Sequence, residues 1–96
     1  MKIDFNKNNG EMTVNLIGRL DTTTAPEMES FLSENYDGVT ALIFNCEGLE
    51  YVSSAGLRVL LSAYKRMKGV MKLVNVGELV MEVFEMTGFA DVWVVE

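Results

Sequence analysis

Apolar and polar residues alternate at the start of the chain: Ile3 and Phe5 sit between polar neighbours, and Met12, Val14 and Leu16 resume the two-residue period after Asn8-Asn9-Gly10. Such patterning on both sides of an Asn-Gly pair, whose members tolerate positive φ, predicts an N-terminal β-hairpin. Gly18-Arg19-Leu20-Asp21 ends it. Thr24-Ala25-Pro26-Glu27 then has the Thr-x-x-Glu spacing of a capping box, with the one proline in the first turn, where its missing N–H costs little. The pattern predicts a first helix from about Ala25 to Asn35 that buries Met28, Phe31 and Leu32.

Asp37-Gly38 breaks the chain, and residues 40–46 form a nearly continuous apolar run bounded by Gly38 and Gly48. A run this short predicts a central strand covered on both faces. Beyond Tyr51 and Val52, the spacing of Leu57, Leu60, Leu61 and Tyr64 is helical, and Lys65, Arg66 and Lys68 follow before Gly69, where cations suit the negative end of a helix dipole. A second helix from about Ala55 to Met67 is the expectation. Met71 to Val76 reads as a strand, Val80, Val83, Phe84 and Thr87 repeat the helical spacing before Gly88, and Val92-Trp93-Val94-Val95 reads as a last strand. The order β-β-α-β-α-β-α-β implies an α/β fold: a hairpin followed by a mostly parallel mixed sheet, packed with helices through right-handed crossovers.

Composition narrows the partners. The 96 residues suit one domain over 1–96 that folds alone, and 49% hydrophobic with 23% charged residues is a globular balance. Eight Lys and Arg against 14 Asp and Glu give a formal charge of −6, which repels nucleic acid and anionic lipid surfaces. Cys46, the only cysteine, lies in the apolar stretch Ala41 to Cys46, where a buried inert thiol is expected and no disulfide framework can form. Without a long apolar segment near the N-terminus, or any apolar run approaching the roughly 18 residues that span a bilayer, the expectation is a soluble cytoplasmic protein.

Most catalytic chemistries lack their residues. There is no histidine, which removes Ser-His-Asp and Cys-His arrangements and imidazole metal sites. Ser54-Ala55-Gly56 matches the second half of a Gly-x-Ser-x-Gly nucleophile elbow, but Val52 occupies the first glycine position and no base is present to activate the serine. Glycines at 10, 18, 38, 48, 56, 69, 77 and 88 form neither a phosphate loop nor a dinucleotide fingerprint. Asp4 with Glu11, and Glu82 with Glu85, read as solvated surface. Neither an enzyme nor a cofactor or metal is expected.

Tyr51-Val52-Ser53-Ser54-Ala55-Gly56-Leu57 lies where a central strand gives way to a helix, the place where open α/β sheets hold ligands and partners. From the residues alone two readings stay open: Ser53 or Ser54 only caps the second helix, or one of them carries function.

The hairpin, Gly18-Arg19-Leu20-Asp21, the apolar strand and Tyr51-Val52-Ser53-Ser54-Ala55-Gly56-Leu57-Arg58-Val59-Leu60-Leu61 together resemble the STAS domain across essentially the whole chain, and within it the anti-sigma factor antagonists. The resemblance implies a binding module that holds an anti-sigma serine kinase, is released when that kinase phosphorylates it, and is restored by a serine phosphatase. In the family the motif before the helix usually reads Asp-Ser-(Ser/Thr/Ala)-Gly-Leu. Aligning on Gly56-Leu57 makes Ser54 the phosphoacceptor, with Ser53, where aspartate is usual, in reserve; Ala55 fills the second position without a hydroxyl. Asp21 matches an acidic residue used in partner recognition, or is simply a turn aspartate. Arg58, Ser62 and Lys65 lie off the apolar stripe of the second helix and are expected on the partner side, and Met81 and Met86 on the flank of the third helix extend that contact or pack as a lid. The alternatives are a STAS interaction domain working without phosphorylation in another pathway, such as lipid-transport or chemoreceptor-like assemblies, and a nucleotide-binding domain.

Overall fold

The structure, a computed structural model, describes residues 1–96. Strands β1 (Lys2–Asn8) and β2 (Glu11–Leu20) form the hairpin, closed by Asn9 (φ 51°) and Gly10 (φ 86°), the pair of positive φ values that matches the twist of the strands. Helix α1 (Ala25–Asn35), strand β3 (Ala41–Val52), helix α2 (Ser54–Arg66), strand β4 (Met71–Val74), helix α3 (Glu78–Thr87) and strand β5 (Val94–Val95) follow. The sheet runs β1-β2-β3-β4-β5, antiparallel between β1 and β2 and parallel elsewhere. This is the α/β arrangement that the pattern implied.

Register explains the core. Met12 pairs with Leu42 and Leu42 with Met71, while Val14 pairs with Phe44 and Phe44 with Leu73, so one face of the sheet carries rows of large apolar side chains. All of them are buried, together with Met28 and Leu32 of α1, Leu57 and Leu60 of α2, and Val80 and Phe84 of α3. No polar side chain lies in this core.

The opposite face corrects the expectation that β3 is covered on both sides. Its residues alternate between buried and half-exposed, and the open side carries a chain of amides instead of a second apolar layer. Asn75 Nδ2 donates to Asn45 Oδ1 at 2.9 Å, and Asn45 Nδ2 donates to Asn15 Oδ1 at 2.9 Å. The run of apolar letters misled because Ile43 and Ala41 are only partly covered. β3 also runs six residues past its expected end. Gly48 is no breaker: a Cβ there would meet Ile17 Cγ1 at 2.9 Å, so a bare backbone lets β3 pass Ile17 and continue pairing with β2 to Val52.

Helix ends differ in detail. α1 has the expected bounds, but the capping box does not form. The Thr24 hydroxyl donates to Arg19 O at 2.7 Å and accepts from Asp21 N at 2.9 Å, leaving Thr24 without a side-chain cap bond to the helix. Phe31 is only partly buried, edge-on to Phe5 with ring centroids 5.1 Å apart. β4 stops at Val74 because Asn75 adopts φ 56°. β5 is shorter than expected because Phe89–Asp91 form a 3-10 turn that stacks Phe89 on buried Trp93 at 4.8 Å. No helix is long and apolar enough to cross a membrane.

Asn45 makes both ladder contacts and also accepts the Glu47 N–H at 3.2 Å, whereas Asn75 makes one. Asn45→Ala is expected to cost about 1–2 kcal/mol and Asn75→Ala about 0.5–1 kcal/mol in urea unfolding, and equal costs would contradict the ladder.

Candidate functional site

The carboxyl end of β2 fixes the start of α2. In parallel register Leu20 lies beside Val52, and the Ser53 N–H donates to Leu20 O at 2.9 Å, tying the residue after β3 to the end of its neighbour. Ser53 is extended (φ −95°, ψ 177°) and is the N-cap: its hydroxyl accepts the Gly56 N–H at 3.4 Å while its carbonyl accepts the Leu57 N–H at 2.9 Å. Ser54 is the first residue of the helix, exposed, with no hydrogen bond to its hydroxyl. The two serines thus divide the two readings between them, Ser53 as cap and Ser54 as the free hydroxyl. The helix begins one residue earlier than its apolar spacing indicated.

Gly56 makes this approach possible. A Cβ at that position would lie 2.7 Å from both Leu20 Cγ and Leu20 O, closer than packed atoms come. Any side chain would push the first turn of α2, and Ser54 with it, off the end of β2.

Asp21 is a turn aspartate. Its Oδ1 accepts the N–H groups of Thr23 (3.0 Å) and Thr24 (3.2 Å), and Arg19 Nε lies 3.7 Å from Oδ2. The Thr24 N–H, more than any other contact, holds its carboxyl below the usual carboxylate range against a smaller opposing effect of burial, with the Thr23 N–H, the Thr24 hydroxyl and Arg19 adding to the lowering. The carboxylate is therefore committed to the turn beside Ser53, and its outer oxygen faces Arg19. The Arg19 guanidinium also lies 4.5 Å over the Tyr51 ring.

Arg58, Ser62 and Lys65 are exposed on the outer side of α2, as expected from their positions off the apolar stripe. Arg58 and Ser62 form one wall of a groove of about 350 Å³, and Pro26 and Glu29 of α1 form the other. At the far end of α2 Arg66 lies 4.7 Å over the Tyr36 ring. The two methionines part company: Met81 packs partly buried against the core, whereas Met86 is 81% exposed. Cys46 is buried at the middle of β3, and burial pushes its thiol up to about 12, which leaves it inert. Asp4 and Glu11, like Glu82 and Glu85, are exposed.

Arg19 and Tyr51 stand in the sequence motifs without an assigned role and Glu29 stands outside them, since only the β2–β3 register and the α1–α2 packing bring the three to the site. One signal was available. Between Glu50 and Glu78 the chain has no acidic residue and carries Arg58, Lys65, Arg66, Lys68 and Lys72, five of its eight cations. α2 is the basic element of an acidic protein.

Gly56→Ala is expected to destabilise the fold by about 1–3 kcal/mol through overpacking against Leu20, although alanine is the better helix former by about 1 kcal/mol. Thermal unfolding checks it, and a gain in stability would show that α2 does not need this close approach.

The chain matches the STAS domain family over residues 2–95. It is 33% identical over 97 residues to the candidate anti-sigma factor antagonist BtrV of Bordetella bronchiseptica, covering 97% of this chain and 84% of that protein. It is 27% identical over 95 residues to the anti-sigma-B factor antagonist of Bacillus subtilis, covering 96% and 87%. The structure of the anti-sigma factor antagonist SpoIIAA in its unphosphorylated form has the same fold, with a TM-score of 0.83 at 21% identity over 99% of this chain and 88% of that one. Its phosphorylated form gives 0.74 at 20% identity over 99% and 91%. With a match that spans both ends of the sheet and every helix between them, the chain belongs to the STAS domain family.

Proposed function

We propose that this protein is an anti-sigma factor antagonist: it binds an anti-sigma serine kinase through the first turns of α2, and phosphorylation of Ser54 by that kinase releases it. The observation that carries this reading is the division of labour between adjacent serines. Ser53 caps the helix, so the exposed Ser54 hydroxyl is free to accept a phosphoryl group without loss of the cap. The names of the relatives from Bordetella bronchiseptica and Bacillus subtilis support the class of partner, and the existence of SpoIIAA in phosphorylated form supports the modification.

Ser54 has no neighbouring base, and with no histidine in the chain the activation of its hydroxyl falls to the kinase. Transfer of the γ-phosphoryl of ATP forms the Oγ–P bond, breaks the bond to ADP and releases the hydroxyl proton. The phosphate brings about −1.5 to −2 charges, which the positive end of α2 accommodates within the domain. At the partner interface the same charge meets a surface fitted to a neutral hydroxyl, at a cost of several kcal/mol; each 1.4 kcal/mol is tenfold in affinity. Tyr51, Arg19 and Asp21 form the rim on the β2 side, and Arg58, Ser62 and Lys65 continue the surface along α2. A serine phosphatase restores the binding form.

Ser54→Ala is expected to bind the kinase and take up no phosphate, whereas Ser54→Asp stays folded and loses at least tenfold in affinity, about 1.4 kcal/mol. If Ser54 took no part in the interface, the aspartate variant would keep its affinity, because Ser53 holds the cap. Phosphopeptide mapping after incubation with kinase and ATP is expected to find phosphate on Ser54 and none on Ser62 or Thr22-Thr23-Thr24. Phosphate on Ser53 alone would displace the site by one residue, and none anywhere would favour an interaction domain that works without phosphorylation.

A further inference from the structure

Ser54 and Arg58 are four residues apart in α2 and both are exposed. On a helix this spacing makes them neighbours, with Cβ atoms about 6 Å apart, and an anion one turn N-terminal to a cation is the favourable orientation. Arg58 is free to be used. The three ion pairs of the chain are Lys2–Asp4, Arg19–Asp21 and Lys72–Glu96, and none involves it. α2 contains no acidic residue that could compete, and its cap, Ser53, is uncharged. Two carboxylates face this turn from adjacent elements. Glu29 of α1 shares the groove with Arg58 without reaching ion-pair distance, and Asp21 of the β2–α1 turn is held by Thr23, Thr24 and Arg19. A guanidinium binds phosphate oxygens through paired N–H donors, which makes it a stronger phosphate receptor than a point charge.

We propose that Arg58 is the internal receptor of the phosphate on Ser54: modification closes an ion pair across the first turn of α2 and so withdraws Arg58 from the partner surface. The switch then acts twice. It places a dianion at the interface, and it occupies the cation nearest to it. Lys65 and Arg66, two turns further on, stay available, so the basic stripe loses its end beside Ser54 and keeps its distal part. This inference rests on the reading of Ser54 as the phosphoacceptor, but its test needs no kinase.

Phosphoserine incorporated directly at position 54 of the full chain allows the second ionisation of the phosphate to be followed by ³¹P NMR. Arg58→Gln is expected to raise that titration midpoint by about 0.2–0.4 pH unit, because the dianion loses its cation. Arg58→Lys should recover at least half of the shift by restoring charge, and Glu29→Gln should leave the difference between Arg58 and its glutamine variant intact. The helix dipole acts equally on all these proteins, so the difference reports Arg58. An identical midpoint in Arg58→Gln and wild type would overturn the proposal. A kinase-modified Ser54 whose phosphate ignores Arg58 would overturn this inference and leave the switch standing. Installed phosphate that titrates with Arg58 in a chain no kinase modifies would support the pair and remove the switch.

Discussion

Everything at the candidate site depends on how closely the first turn of α2 approaches the end of β2. Gly56 has no side chain at the point where a Cβ would stand 2.7 Å from Leu20 Cγ and Leu20 O, and the Ser53 N–H reaches Leu20 O at 2.9 Å. Leu20 is itself fully buried, so the helix start is referenced to the core and not to a flexible loop. From that contact follow the cap at Ser53, the exposure of Ser54 at the first helical position and the presentation of Arg58 one turn on. A site built on rigid elements in this way keeps its geometry when its charge changes.

The one-sided sheet complements this arrangement. All the large apolar rows point toward the helices, and the other face is held by the Asn15–Asn45–Asn75 amides. The core and the candidate site therefore occupy different parts of the molecule. The only ionisable side chain in the core is the Cys46 thiol, which burial keeps protonated, so neither acidification nor phosphorylation of the surface reaches the core directly. Charge is likewise divided: the stretch from Tyr51 to Gly77 carries only cations, and the acidic residues lie outside it. An acidic protein thus exposes a basic helix, and the phosphate proposed for Ser54 would act where it changes the local field most.

Local signals in the sequence were sufficient where the physics is local. The Asn9-Gly10 turn, the bounds of α1, the Gly88 stop and the outward placement of Arg58, Ser62 and Lys65 follow from turn chemistry and helical spacing alone. Local pattern is insufficient where a distant residue intervenes. Gly48 looked like a strand end because Ile17, thirty-one positions earlier, gives the glycine its purpose. Thr24 looked like a helix cap because its hydroxyl's actual partner, Arg19 O, belongs to the preceding strand. The roles of Ser53 and Ser54 were interchangeable on spacing, since moving the helix start by one residue exchanges cap and first helical position. The Arg19–Tyr51 contact and the Glu29–Arg58 groove need the register of β2 on β3 and the packing of α1 on α2, which no local pattern carries.

The central claim is that modification alters the charge of this surface while the backbone beneath it stays in place. Backbone amide ¹H–¹⁵N NMR spectra of the full chain with serine or phosphoserine at position 54 test it most directly. The account predicts shift changes confined to Ser53–Arg58 and the adjoining Asp21–Thr24 turn, with the amides of Met12–Leu16 and Leu42–Cys46 unmoved. Changes spread along β2 and β3 would contradict it, because they would mean that the switch works by rearranging the sheet rather than by placing a charge at the tip of α2.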